Sequence, residues 1–245
     1  MTESDLLPEA EVHGPESDPE WKPQLMLTPD HRYSFIIRED SSVVVYDGVL
    51  VRETWVENVY QIHKSDFDGT GVLVDIGANI GTVSVYGASL GAKVIAVEPE
   101  PENVRILHEN IRRNHVTHQV TVMQTAVHFD SGEGYMTPNR GNGALVFEEL
   151  PGSTPTSVMT LAELLDQAGV EECDVCKIDV EGSEAYIIAG ASLQTLRRIR
   201  YLTMEFDGTC DDVAWGLMVT KIAKYGNTHI IGSPERGGYI YSRRY

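Results

Sequence analysis

The residues best equipped for chemistry fall at the ends of apolar runs. In VLVDIGANIGTVSVYGASLGAKVIAVEPE, residues 72–100, one run ends at Asp75-Ile76, glycines follow at 77 and 81, and a second run ends in Glu98. Further on, Asp179 and Glu181 close the run CDVCKIDVEG and Glu205 closes RYLTMEF. Gly77 lets the chain turn without a Cβ, and Gly81 lets the following helix begin close to whatever lies above the strand. A carboxylate at the tip of the next strand is placed to accept hydrogen bonds from two ribose hydroxyls. The turn reads Gly77-Ala78-Asn79-Ile80-Gly81-Thr82, so Asn79 stands where a dinucleotide fingerprint has its middle glycine and Thr82 where it has its third. A side chain at 79 crowds a pyrophosphate but can help hold an amino-acid moiety.

VDIGANIG, then VEPEPENV, then a strand leading into Thr125-Ala126-Val127, and finally KIDVEGSE at 177–184 occur in an order and spacing that no single motif would specify. Over roughly Val72 to Phe206 the chain resembles the FkbM-type methyltransferase family. The resemblance implies S-adenosylmethionine as cofactor. It puts Asp75, Gly77, Asn79 and Gly81, with Ala78 among them, at the methionine end, Glu98 at the ribose, and Pro99, Asn103, Thr125 and Ala126 on the adenine side. On this reading Gly81→Val abolishes cofactor binding and leaves the fold largely intact.

Methyl transfer is an in-line displacement, which requires alignment and, for an alcohol acceptor, a base. Asp179, Glu181 and Glu205 are the candidates, with Lys177 two residues before Asp179 and able to pair with it on the same strand face. One reading has Asp179 touching cofactor or acceptor while Glu181 orients the acceptor or takes its proton. A second makes the three carboxylates hard-oxygen ligands of a divalent metal such as magnesium or calcium. A third has Glu181 and Glu184 stabilising a helix N-terminus beside an ion pair to Lys177. Of the histidines, His108, His115 and His118 read as surface positions, and His128, after Thr125-Ala126-Val127, needs no catalytic explanation.

These residues require a particular scaffold. Strands read at 72–76, 93–97, 119–123, 174–179 and 200–206, with helical segments near 80–90, 101–113, 160–168, 183–190 and 211–224, which specifies an α/β, Rossmann-like, doubly wound and mostly parallel sheet. THIIGSPERGGYIYSRRY adds a closing antiparallel hairpin. Ahead of this core, residues 33–51 read as a small hairpin turning at Asp47-Gly48, and 52–64 as a helix with Trp55, Val59 and Ile62 on one side. Residues 1–24 carry seven acidic groups against Lys22 alone, and four prolines, which reads as a loose tail. The remainder, 25–245, reads as one domain, with a cover over 25–70, the core over 71–245, and a Gly/Asn-rich insertion over 128–156 that suits a substrate lid.

With a net charge of -18 the chain is a poor match for phosphate backbones or anionic lipid. No apolar run approaches the roughly 20 residues that span a bilayer. Cys173 and Cys176 sit on a buried strand without a second Cys/His pair at ligand spacing, so a reducing, cytoplasmic setting is expected. The family resemblance, and not the composition, implies O-methylation of a sugar or other small natural-product hydroxyl. N-methylation of a peptide side-chain amide and a non-catalytic cofactor-binding or interaction module are the alternatives.

Overall fold

The computed structural model describes residues 23–38, 47–138, 143–208 and 210–245. The first elements are β1 (Pro23–Leu27) and β2 (Ser34–Arg38), paired antiparallel with Leu25 opposite Ile36. Asp30 closes the turn between them by accepting from the Thr28 hydroxyl (2.6 Å) and the Arg32 amide (3.1 Å), the usual way an Asp stabilises a turn. Of the tail expected over 1–24, residues 1–22 lie outside the described residues and 23–24 already belong to β1.

The turn expected at Asp47-Gly48 is instead the start of helix α1 (Asp47–Arg52), and residues 39–46 lie outside the described residues. The cause is the Asp47 carboxylate, which accepts from the Arg38 amide (2.7 Å) and from two nitrogens of the Arg38 guanidinium (3.0 and 2.9 Å). A π-helical turn over Glu53–Glu57 follows and stops at Asn58 in a left-handed conformation (φ 48°), so no single helix covers 52–64. Trp55 still finds its apolar partners, lying tilted against Tyr33 and Phe35 and meeting Tyr86 edge-on.

From residue 72 onward the expected alternation holds. The elements are β3 (Val72–Ile76), α2 (Thr82–Ser89), β4 (Lys93–Val97), α3 (Pro101–Arg113) and β5 (Val120–Met123). Then come β6 (Ala126–His128), β7 (Gly132–Met136), β8 (Leu145–Val146), β9 (Thr154–Thr160), α4 (Leu161–Gln167) and β10 (Cys173–Ile178). The last are α5 (Glu184–Gly190), α6 (Leu193–Leu196), β11 (Ile199–Phe206), α7 (Asp212–Tyr225), β12 (Gly226–Ser233) and β13 (Gly237–Arg244). One seven-stranded sheet has the order β12-β13-β11-β10-β3-β4-β5. It is parallel from β5 to β11 and antiparallel where β13 meets β11 and β12.

Its strands read as continuous apolar runs because both faces are covered. Val74, Cys176 and Leu202 pack under α4 to α7, while Leu73, Val94 and Val175 pack under α2, α3 and the N-terminal elements. The chain lays β4 and β5 to one side of β3, then β10 and β11 to the other, a reversal that opens a crevice above the strand ends. The insertion over 128–156 is largely a second sheet of order β6-β9-β7-β8, with residues 139–142 outside the described residues. Among the described residues no helix is long and apolar enough to cross a membrane.

Asn110 of α3 and Asn114, which caps its C-terminus, fasten the hairpin to the core. Asn110 accepts from the Ile36 amide (2.6 Å) and donates to the carbonyls of Ile36 (3.2 Å) and Ile80 (2.8 Å). Asn114 accepts from the Ser34 amide (2.9 Å) and donates to its carbonyl (2.8 Å). The side chains imitate the edge of a strand, and through Ile80 the glycine turn is held by the same residue. Asn110→Leu strips these buried backbone groups of that partner and should lower the unfolding free energy by about 2–4 kcal/mol in urea titrations; a loss below about 0.5 kcal/mol, typical of an exposed site, would refute the role.

Candidate functional site

Above the ends of β3 and β10 lies a cavity of about 850 Å³, part of it open to solvent. The glycine turn forms its floor. Gly77 (φ 78°) and Asn79 (φ 49°) are left-handed, which curls the turn so that the Gly77 and Ala78 amides both donate to the Val97 carbonyl at 2.9 Å. A Cβ on Gly77 would overlap the Asp179 carbonyl oxygen, so only glycine lets the turn pack against the end of β10.

Glu98, at the tip of β4, is buried and lines the cavity. Its carboxylate accepts from the Asn79 amide (2.8 Å), the Glu100 amide (3.0 Å) and the Asn103 side chain (3.2 Å). Burial raises its pKa and these three donors oppose the rise. Gly77, Ala78, Asn79, Pro99, Asn103, Thr125 and Ala126 share the same wall. Met136 and Leu145 of the second sheet and Leu50, Thr54 and Tyr60 of the N-terminal segment complete it.

Two residues expected at the methionine end stand elsewhere. Asp75 is fully buried beneath the turn, accepting from Ser84 (2.6 Å) and lying 3.5 Å from the Lys177 ammonium. It supports the turn from behind because its position on β3 points it into the layer under α2. Gly81 is left-handed (φ 90°) and its missing Cβ would collide with Leu107 of α3, so its task is helix packing.

The other end of the cavity is acidic. Lys177 is buried and donates to the Gly77 carbonyl (2.7 Å) with Asp75 and Asp179 each at 3.5 Å. Burial works against its charge, but Asp179 and Asp75 outweigh it and raise its pKa. Asp179 also accepts from the Tyr60 hydroxyl at 2.6 Å. Glu181 lines the cavity in a left-handed conformation (φ 59°), and burial, reinforced by Asp179 and Asp207, pushes its pKa up to about 7. A side chain held in so unfavourable a region is typical of functional positions. Glu184 accepts from the Val180 and Gly182 amides (2.8 and 3.1 Å) and closes the loop before α5, the structural task the sequence had divided between Glu181 and Glu184.

Glu205 does not reach the cavity wall. It sits half-buried on β11, where burial, then Asp179 and Glu53, push its pKa up to about 8. Among the described residues no group of three or more His, Cys, Asp and Glu side chains is arranged to hold a metal, so the divalent-metal reading of Asp179, Glu181 and Glu205 has no geometry behind it. His128 is buried among Phe129, Phe147 and Tyr186, away from the cavity lining, and His108, His115 and His118 are exposed.

A family model described as the methyltransferase FkbM domain matches residues 75–227, from the support of the glycine turn to the start of the closing hairpin. The chain belongs to the FkbM methyltransferase family. The 31-O-demethyl-FK506 methyltransferase FkbM of Streptomyces tacrolimicus is 28% identical over 214 residues, 73% of this chain and 81% of that protein. The hexuronic acid methyltransferase AglP of Haloferax volcanii is 27% identical over 157 residues, 63% of this chain and 64% of that protein. The delta-N METTL16 MTase domain superposes with a TM-score of 0.50 at 13% identity, covering 85% of this chain and 87% of that one, a likeness of fold alone.

In this FkbM-family methyltransferase, sequence reasoning passed over Tyr60, Glu53 and Thr54, which reach the cavity from an irregular segment without a motif. Arg38 and Asp47, paired to each other and reaching Asn103, were equally hidden. Two outcomes follow from the geometry. Gly81→Val should lower the melting temperature by several degrees, roughly the effect of a core overpacking of 1–3 kcal/mol, whereas loss of ligand binding at unchanged melting temperature would return Gly81 to the cavity. Glu181 and Glu184, at about 7, and Glu205, at about 8, hold protons in the folded state that an unfolded carboxyl, at 4.5, has already released. Stability therefore declines as pH rises between about 5 and 8. Calorimetric melting across that range should show the decline, and Glu205→Gln should flatten it.

Proposed function

We propose that the protein is an S-adenosylmethionine-dependent methyltransferase acting on a hydroxyl of a sugar or another small natural product. The observation that carries this reading is the buried Glu98 carboxylate, presented to the cavity directly beside a turn whose Asn79 excludes a dinucleotide fingerprint. The residues fit the cofactor: three donors leave Glu98 acceptor capacity for ribose hydroxyls, and Pro99, Ala126, Met136 and Leu145 offer an apolar slot for a base. Bound there, S-adenosylmethionine supplies an electrophilic methyl carbon on a sulfonium. The names of two relatives, referring to 31-O-demethyl-FK506 and to hexuronic acid, support a small-molecule acceptor.

Each residue's part can be stated from its surroundings. Glu98 and Asn103 hold the ribose, and the turn from Gly77 to Asn79 holds the amino-acid end. Tyr60 and Lys177 fix Asp179, leaving it to orient rather than to migrate. Glu181 takes the acceptor's proton, since a carboxyl at about 7 is matched to that work near neutrality. Tyr60, Leu50, Met136 and Leu145 keep water from the reacting atoms. The strand-sheet over 128–156 serves as the acceptor lid of a single domain spanning 25–245.

Methyl-labelled S-adenosylmethionine, incubated with a panel of sugars and hydroxylated natural products, tests the proposal; label transferred only to peptide amides, or to nothing, would sink it. On the acceptor so found, the rate should rise with pH through about 7. Glu181→Gln should cut turnover by roughly 100-fold or more with little change in cofactor affinity. An equal loss in both, or none, would remove Glu181 from the chemical step.

A further inference from the structure

We propose that Arg38 is a positioning residue for cofactor ribose binding, acting through Asn103 on Glu98, so that the N-terminal hairpin is part of the cofactor site; this rests on the S-adenosylmethionine reading above. Arg38 Nη1 donates to Asn103 Oδ1 at 2.8 Å, and Asn103 Nδ2 donates to Glu98 Oε1 at 3.2 Å. A guanidinium has no acceptor. It therefore admits only the amide orientation that turns Asn103 nitrogen toward the carboxylate. Without Arg38 the buried Asn103 oxygen loses its donor, and the amide is free to rotate away from the Glu98 oxygen it now steadies.

Arg38 itself has no freedom to choose. Asp47 grips two of its nitrogens, and the two side chains are 6% and 3% exposed. A buried ion pair is seldom a better stabiliser than apolar residues of the same volume, and Asn110 and Asn114 already fasten this hairpin to α3. The pair's distinctive result is the direction it imposes on Asn103. Among other charged groups, Lys177 of β10 faces Glu98, Glu102 of α3 faces Arg38, and Glu100 adjoins Glu98 in the chain. None of them orients the amide.

Calorimetric titration with S-adenosylhomocysteine, on the full chain and on Arg38→Met, Glu98→Gln and the double variant, tests this, with melting temperatures recorded alongside. Arg38→Met should weaken binding about tenfold, the scale of one charge-assisted hydrogen bond. In the Glu98→Gln background the same change should cost less than about twofold, because interacting residues are non-additive. A tenfold loss in both backgrounds would reduce Arg38 to a structural role and overturn the inference. Should Arg38→Met not fold, Asp47→Asn, which loosens the grip but keeps its shape, is read in the same cycle. It should weaken binding several-fold with Glu98 present and leave it unchanged in Glu98→Gln, and equal effects would again overturn the inference. Failure of the unmodified protein to bind overturns the cofactor reading itself, whereas binding with additive losses overturns only the role of Arg38.

Discussion

Lys177 is an ammonium group almost wholly removed from water, and the rest of the site is arranged around that fact. Its desolvation costs several kcal/mol, offset by the Gly77 carbonyl at 2.7 Å and by the Asp75 and Asp179 carboxylates at 3.5 Å. These three partners come from three places: the turn after β3, β3 itself, and the end of β10. Satisfying one buried charge therefore fixes the two central strands against each other at the point where the sheet reverses. Gly77 has no side chain because the Asp179 backbone occupies that space. Asp179 cannot move because Tyr60 holds the oxygen that Lys177 also approaches. The cavity owes its shape to a charge almost wholly withdrawn from solvent.

From that anchor the field changes along the cavity. Toward Glu98 every carboxylate oxygen is met by a donor. Toward Glu181, carboxyl groups meet mainly one another, with Glu53, Glu205 and Asp207 adding to the crowding. One end is thus held still by its donors, while at the other burial and mutual repulsion push carboxyl groups up to about 7 and about 8. Family membership fixes methyl transfer as the general activity.

The sheet was legible in the sequence because both of its faces are covered: the five parallel strands stand as apolar runs, and of the acids near their ends Glu98, Asp179 and Glu181 line the crevice while Asp75 and Glu205 do not. The turn from Gly77 to Asn79 and Glu98 could be read for the same reason. What could not be read lay in side chains whose partners are distant. Asp47 has the look of a turn residue until Arg38 claims it, and the true turn at Thr28 to Asp30 has no glycine to mark it. Asp75 matches a binding motif yet points beneath the turn, since alternation along β3 decides its direction and the motif does not. Gly81 was read as making room for a ligand, and it makes room for Leu107. In each case a position was seen correctly and its neighbour was not.

β2 meets Asn103, Asn110 and Asn114 across 65 to 80 positions of chain. A hairpin made early in synthesis must wait for a helix made much later before its backbone is satisfied, and closing so long a loop is an entropic expense borne only when α3 is already in place. The wall of the cavity formed by Leu50, Thr54 and Tyr60 belongs to the same N-terminal part of the chain and shares that dependence on distant contacts. A small molecule spanning Glu98 and that wall would need both parts of the chain in place, and by binding only the folded form would stabilise their union by mass action.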